Sequence, residues 1–116
     1  MSDLTDSAAD LDLSVPRHVH LVAIGGAGMS GIATLLAESG HTVSGSDAVD
    51  TPVLARLRSL GVTTWVGHDA AHVTAPDVIH AVGISTAVRT DNPEVIAATE
   101  RGVPVPCALT HPMSRG

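Results

Sequence analysis

Residues 18–24, HVHLVAI, form the first sustained apolar run of the chain and stop abruptly at a glycine pair, as a buried parallel strand does where it meets its loop. From Met29 the period changes. Met29, Ile32, Ala33, Leu35 and Leu36 recur near helical spacing, and Gly40 stands where a left-handed cap belongs, which predicts a helix to about Ser39. HTVSGS at 41–46 reads as a second strand, residues 52–60 as a helix opened by Pro52 and closed by Gly61, and VTTWV at 62–66 as a third strand. DVIHAVGI at 77–84 supplies a fourth strand, and Asn92 caps a helix with Pro93 in its first turn and Gly102 past its end. VPVP at 103–106 is the fifth strand, short or at an edge because proline flanks Val105 on both sides. Strands alternating with helices in this way predict a single α/β domain: a Rossmann-like parallel five-stranded sheet with helices on both faces and right-handed crossovers. Residues 1–16, acidic and aperiodic, read as an N-terminal arm, 17–106 as the domain and 107–116 as a tail.

Composition narrows what that sheet is made of. The 116 residues include no Phe, no Tyr and one Trp, Trp65, so the core is aliphatic. A chain of this length holds one core and buries roughly 60 to 70% of its unfolded surface. The formal charge is −6, of which Asp3, Asp6, Asp10 and Asp12 carry four, leaving −2 from residue 13 onward. That balance argues against a nucleic-acid partner, which needs a basic face to neutralise phosphates. All six basic residues are Arg. Without Lys there is neither a Schiff base nor a phosphate-gripping GxxxxGK[ST] loop, so ATP-driven chemistry is not expected of this chain. Cys107 alone makes no intramolecular disulfide, no signal-type segment opens the chain, and no run nears about 18 apolar residues. The reading is a cytoplasmic protein with no membrane partner.

The chemistry concentrates where the first strand meets the first helix. Gly26, Gly28 and Gly31 make GxGxxG within IGGAGMSGIA at 24–33. Between a strand and a helix, the first glycine permits a tight turn, the second lets backbone N–H groups approach a diphosphate, and the third lets helix pack against strand. The helix start adds roughly half a positive charge and unpaired donors. Ser30, in the first turn, has a hydroxyl within reach of a phosphate oxygen or of its own backbone. Asp47 follows 21 residues after Gly26, where a carboxylate in dinucleotide-binding folds meets ribose hydroxyls; capping the next turn is its plainer use. These residues do not say which nucleotide.

IGGAGMSGIA, then SGSD at 44–47, GHD at 67–69, STAV at 85–88 and DNPE at 91–94, together and in this order, resemble the N-terminal, UDP-binding domain of the MurC-type Mur ligases. Those enzymes add L-alanine to UDP-N-acetylmuramate in peptidoglycan synthesis. A relative that recycles murein tripeptide shares the domain, with a loop less like GGAGMSG. The likeness runs over residues 17–105 and implies that Gly25, Gly26, Ala27, Gly28, Met29 and Ser30 hold the diphosphate of a UDP-sugar. It also implies that Ser85 and Thr86, where the family has Ser-Ser-Ala-Ile, support that diphosphate, that His68 contacts uridine, and that Asp47 faces ribose. Ala23 stands where the family's loop begins with Gly, a change that a strand tolerates. Downstream the family continues into a Gly-Thr-His-Gly-Lys-Thr loop, an ATPase domain and an amino-acid domain. Here PCALTHPMSRG follows, with Pro112 in the expected helix and no Lys after Thr110 and His111. ATP and Mg²⁺ therefore belong only to a full ligase, and the chain reads as a ligase domain or a free-standing homologue that does not ligate alone.

Seven His invite a metal reading. His18 and His20 share one strand face and His80 lies in the fourth strand, but no carboxylate or Cys cluster completes a site, so no metal is expected. His68 and His72, four apart, make half a site at most. Cys107 has only His111 close in sequence to activate it and reads as packing. Asp91-Asn92-Pro93-Glu94 reads as helix-start chemistry, with Asn92 bordering the pocket. The leading reading is a UDP-sugar-binding domain with no cofactor of its own. The alternatives are an NAD(P)-binding domain, a free-standing enzyme of nucleotide or secondary metabolism using His68 or Asp47 as acid or base without ATP, and a partner-binding subunit. The edge at 103–106 offers a seam for a homodimer.

Overall fold

Along β1 (His18–Val22) the two-residue period of a strand sends Val19 and Leu21 to one face and His18, His20 and Val22 to the other. The computed structural model describes residues 13–107, so most of the acidic arm and the tail from 108 lie outside the described residues. β1 pairs in parallel with β2 (Thr42–Asp47) and β4 (Ala81–Gly83), and β2 with β3 (Thr63–Val66), giving the order β3-β2-β1-β4. Helices α1 (Ala27–Glu38) and α2 (Pro52–Ser59) cover the first face, where Val19, Leu21 and Val43 meet Met29, Leu36, Leu54 and Leu57. The second face lies under α3 (Ala71–Thr74) and α4 (Pro93–Arg101), with Val22 and Val82 against Val73, Ala97 and Ala98. Each buried Leu or Val contributes roughly 1.5 to 3 kcal/mol, so an aliphatic core suffices without Phe or Tyr. Leu13, at the end of the arm, packs against the first cluster.

The α/β class, the parallel sheet and the helices on both faces are as the pattern predicts; among the described residues the sheet has four strands, not five. The segment 103–106 does lie beside β4, with Val82 N–H donating to Pro104 O at 2.9 Å and Ile84 N–H to Pro106 O at 3.0 Å. A parallel ladder needs a return donor from residue 106 to Val82 O, and proline has none. What remains is an isolated bridge between Ile84 and Cys107. The fourth strand is also shorter than DVIHAVGI suggested, spanning only Ala81–Gly83, and α3 was not foreseen. Helix boundaries at Gly40, Gly61 and Gly102 fall on left-handed backbone, as expected.

The loop after β1 departs from its sequence reading in two ways. β1 ends at Val22, so Ala23 is not held in a strand; its φ is +60°, a conformation that favours glycine. Gly31 does not serve close packing either, because it is exposed and a Cβ there would meet nothing within 4 Å. The chain leaves β1 toward β2 and β3, then returns on the other side at β4. This reversal opens a crevice beyond the carboxyl ends of β1 and β4, where open α/β sheets bind ligands. Among the described residues no helix is long and apolar enough to cross a membrane.

Candidate functional site

Two fastenings shape the loop. Ile24, fully buried, donates its N–H to Ser46 O at 3.0 Å, and Gly25 N–H donates to Asp47 Oδ2 at 2.8 Å. A Cβ on Gly25 would stand 2.8 Å from that same oxygen, so glycine is required for the carboxylate to come this close. Asp47 Oδ1 also accepts from Val49 N–H at 3.3 Å, which ties the loop to the turn after β2. Gly26, Ala27 and Gly28 lie exposed at the start of α1. No side chain caps that start, and no acid lies in its first turn. Its N–H dipoles therefore face solvent uncompensated. Met29 is in the core, and Ser30 Oγ donates to Ala27 O at 3.1 Å.

Ser85 and Thr86 sit in the turn after β4, where Ser85 Oγ accepts from Ala87 N–H at 3.3 Å and Thr86 is exposed. A cavity of about 290 Å³ lies beside this turn, lined by Val22, Ala23, His68, Val88, Arg89 and Asn92, among others. Of the predicted contact residues His68 lines it. Gly25 and Asp47 meet each other instead, and residues 25–30 of the loop, Ser85 and Thr86 stand outside its wall.

Beneath the cavity lies a polar cluster centred on Glu94, in the first turn of α4 and fully buried. Its Oε1 accepts from His20 Nε2 and from Ser46 Oγ, both at 2.7 Å. Its Oε2 accepts from His72 Nδ1 at 2.7 Å and from Asp69 N–H at 3.0 Å. Burial alone would push this carboxyl up; the hydrogen bonds from His20, Ser46 and His72 outweigh it and hold the group at about 2. Ser46 Oγ also lies 2.8 Å from His68 Nδ1, and Trp65 stacks on His72 at 4.1 Å between centroids. On the far side, His20 Nδ1 meets Ser44 Oγ at 2.9 Å, and Ser44 Oγ meets His18 Nε2 at 3.1 Å. His18 Nδ1 donates to Val78 O at 3.0 Å, and burial lowers its pKa, so its Nε2 is an acceptor. Ser44 then gives its proton to His18 and accepts from His20.

Glu94 is the residue that the sequence does not reveal, because DNPE reads as a helix start. Asn92 does cap α4, accepting from Glu94 N–H at 2.9 Å. The available signal was the shared spacing of His18/His20 and Ser44/Ser46, which one register, His20 opposite Ser44, turns into a single polar stripe. His68 and His72 converge on Glu94 from a loop and from α3. Among the described residues no group of His, Cys, Asp and Glu is placed to hold a metal ion.

Comparison with known proteins agrees with this architecture. The family model described as Mur ligase family, catalytic domain, matches residues 18–115. The chain is 60% identical over 89 residues to a UDP-N-acetylmuramate–L-alanine ligase of Acidovorax sp. (strain JS42), covering 77% of this chain and 18% of that one. It is 57% identical over the same length to the ligase of that name from Delftia acidovorans. The solved UDP-N-acetylmuramate-alanine ligase of Thermotoga maritima superposes with a TM-score of 0.73 at 38% identity, over 81% of this chain and 21% of that one. A murein peptide ligase from Psychrobacter arcticus gives 0.67 at 31% identity, over 77% of this chain and 18% of that one. The chain thus spans about a fifth of the length of these relatives. With its glycine loop, Asp47, His68 and the Asn92 helix start all inside the matched stretch, the chain belongs to the Mur ligase family.

Proposed function

We propose that this domain binds a UDP-sugar of the UDP-N-acetylmuramate type, the compound in its relatives' names, in the cytoplasm and as a step of peptidoglycan synthesis. The observation that carries the reading is the uncapped, acid-free start of α1, exposed at the switch point of the sheet. In this reading the loop Gly25 to Ser30 takes the diphosphate at its outer turn, Ala27 to Met29, because the N–H groups of Gly25, Gly26 and Ser30 are bonded within the chain; Ser85 and Thr86 flank it, and Asp47 with His68 faces the nucleoside. Asp47 acts twice: its Oδ2 fixes Gly25, and the fixed loop aims its N–H groups outward. Catalysis is assigned to none of these residues.

ATP and Mg²⁺, which ligation requires, do not fit the residues present, since the chain has no Lys and the described residues form no metal cluster. The domain's own contribution is to bind and orient the nucleotide sugar.

Calorimetric titration of the purified chain with UDP-N-acetylmuramate, UDP and NADH tests the reading. We expect the two uridine compounds to bind in the micromolar range and NADH not to bind. Asp47→Ala should weaken both uridine compounds about tenfold by freeing the loop. Binding of NADH without UDP would assign the loop to a dinucleotide, and silence from all three would turn attention to a protein partner.

A further inference from the structure

We propose that Glu94 is a positioning residue for the nucleotide pocket: acting through Ser46, it holds His68 in the tautomer that presents an unprotonated Nε2 to the ligand. An ionised carboxylate only accepts, so the single hydroxyl proton of Ser46 goes to Glu94 Oε1 at 2.7 Å. Ser46 Oγ can then meet His68 Nδ1, 2.8 Å away, only as an acceptor. The proton of a neutral His68 ring is therefore on Nδ1, and Nε2 carries a lone pair. His68 lines the cavity, whereas Glu94 and Ser46 are fully buried behind it. Glu94 is itself fixed by His20, His72 and the Asp69 N–H, so the orientation is built into the sheet and α4 before any ligand arrives.

The consequence is a selection rule. A lone pair on Nε2 accepts a hydrogen bond and repels an anion's oxygen, so His68 reads a donor of the ligand and not its diphosphate. On a uridine nucleotide the donors are the imide N–H of the base and the hydroxyls of the ribose. This assignment rests on the proposed UDP-sugar reading for its ligand, but the tautomer itself does not.

Long-range ¹H–¹⁵N correlation of the histidine side chains in the free, full chain measures the tautomer directly. The expected result is a His68 ring protonated on Nδ1, changing to a mixed or Nε2-protonated ring in Ser46→Ala while the backbone amide spectrum stays folded. Titration with UDP, its N3-methyl derivative and its 2′-deoxy derivative then identifies the donor. One derivative should bind the wild type about tenfold more weakly than UDP, and Ser46→Ala should erase that difference. An Nε2-protonated His68 in the wild type overturns the proposal, as does a Ser46→Ala variant that keeps both the tautomer and the discrimination. If UDP does not bind the wild type, the UDP-sugar reading falls, and the tautomer still decides the role of Glu94.

Discussion

Ala23 pays a backbone cost that its neighbours do not. A left-handed φ of +60° on a residue with a Cβ costs about 1 to 2 kcal/mol, and Gly26 N–H donating to Ala23 O at 3.1 Å holds it there. Ala23→Gly removes that strain and loosens the unfolded chain, which offsets about half of the gain. The expected net effect is a rise in stability of about 0.5 to 1 kcal/mol, read from the urea midpoint at constant m-value. The loop's position was legible in the sequence, since GxGxxG between strand and helix is a local pattern. Which residue bears strain, and that Gly25 rather than Gly31 is sterically required, was not, because both depend on where Asp47 arrives from the neighbouring strand.

Among the elements, the segment after α4 shows how one missing donor decides a strand. Val82 in β4 and Ile84 just past it donate to the carbonyls of Pro104 and Pro106, and no bond can return from Pro106 N. Pro106→Val restores the donor to Val82 O, and the amide at 106 should become protected from hydrogen exchange. Overall stability should change by less than about 1 kcal/mol, because the new hydrogen bond is offset by the freer unfolded chain. Four strands and three of the helices could be read from periodicity and caps. The short α3 could not: AHVT has too few residues for a period, and its place is fixed by Val73 in the core and His72 on Glu94.

For the whole molecule, the Glu94 cluster couples folding to pH. The folded carboxyl sits at about 2 against about 4.5 unfolded, so the folded state binds fewer protons between those values. Its stabilisation is present above about 4.5 and is lost as pH falls toward 2, a change of about 3 kcal/mol. His18 adds an earlier decline: its lowered pKa means that the unfolded chain gains a proton first as pH falls through 6.5. Denaturation of wild type and Glu94→Gln should show the decline between about 4.5 and about 2 steeper in the wild type, whereas the earlier decline from His18 should be common to both. The variant should be the less stable of the two at neutral pH, because an amide cannot accept from four donors. None of this long-range polar connection is visible from one chain position, since it joins residues 20, 46, 72 and 94 across four elements and a register.

Trp65 lies flat on His72, with planes 10° apart, and it is the chain's only Trp in a sequence without Tyr. An imidazolium in face contact draws electron density from an excited indole, whereas a neutral ring does so far less. The protein's own ultraviolet emission is thus a built-in gauge of the charge on the ring next to Glu94, readable in dilute solution without a label.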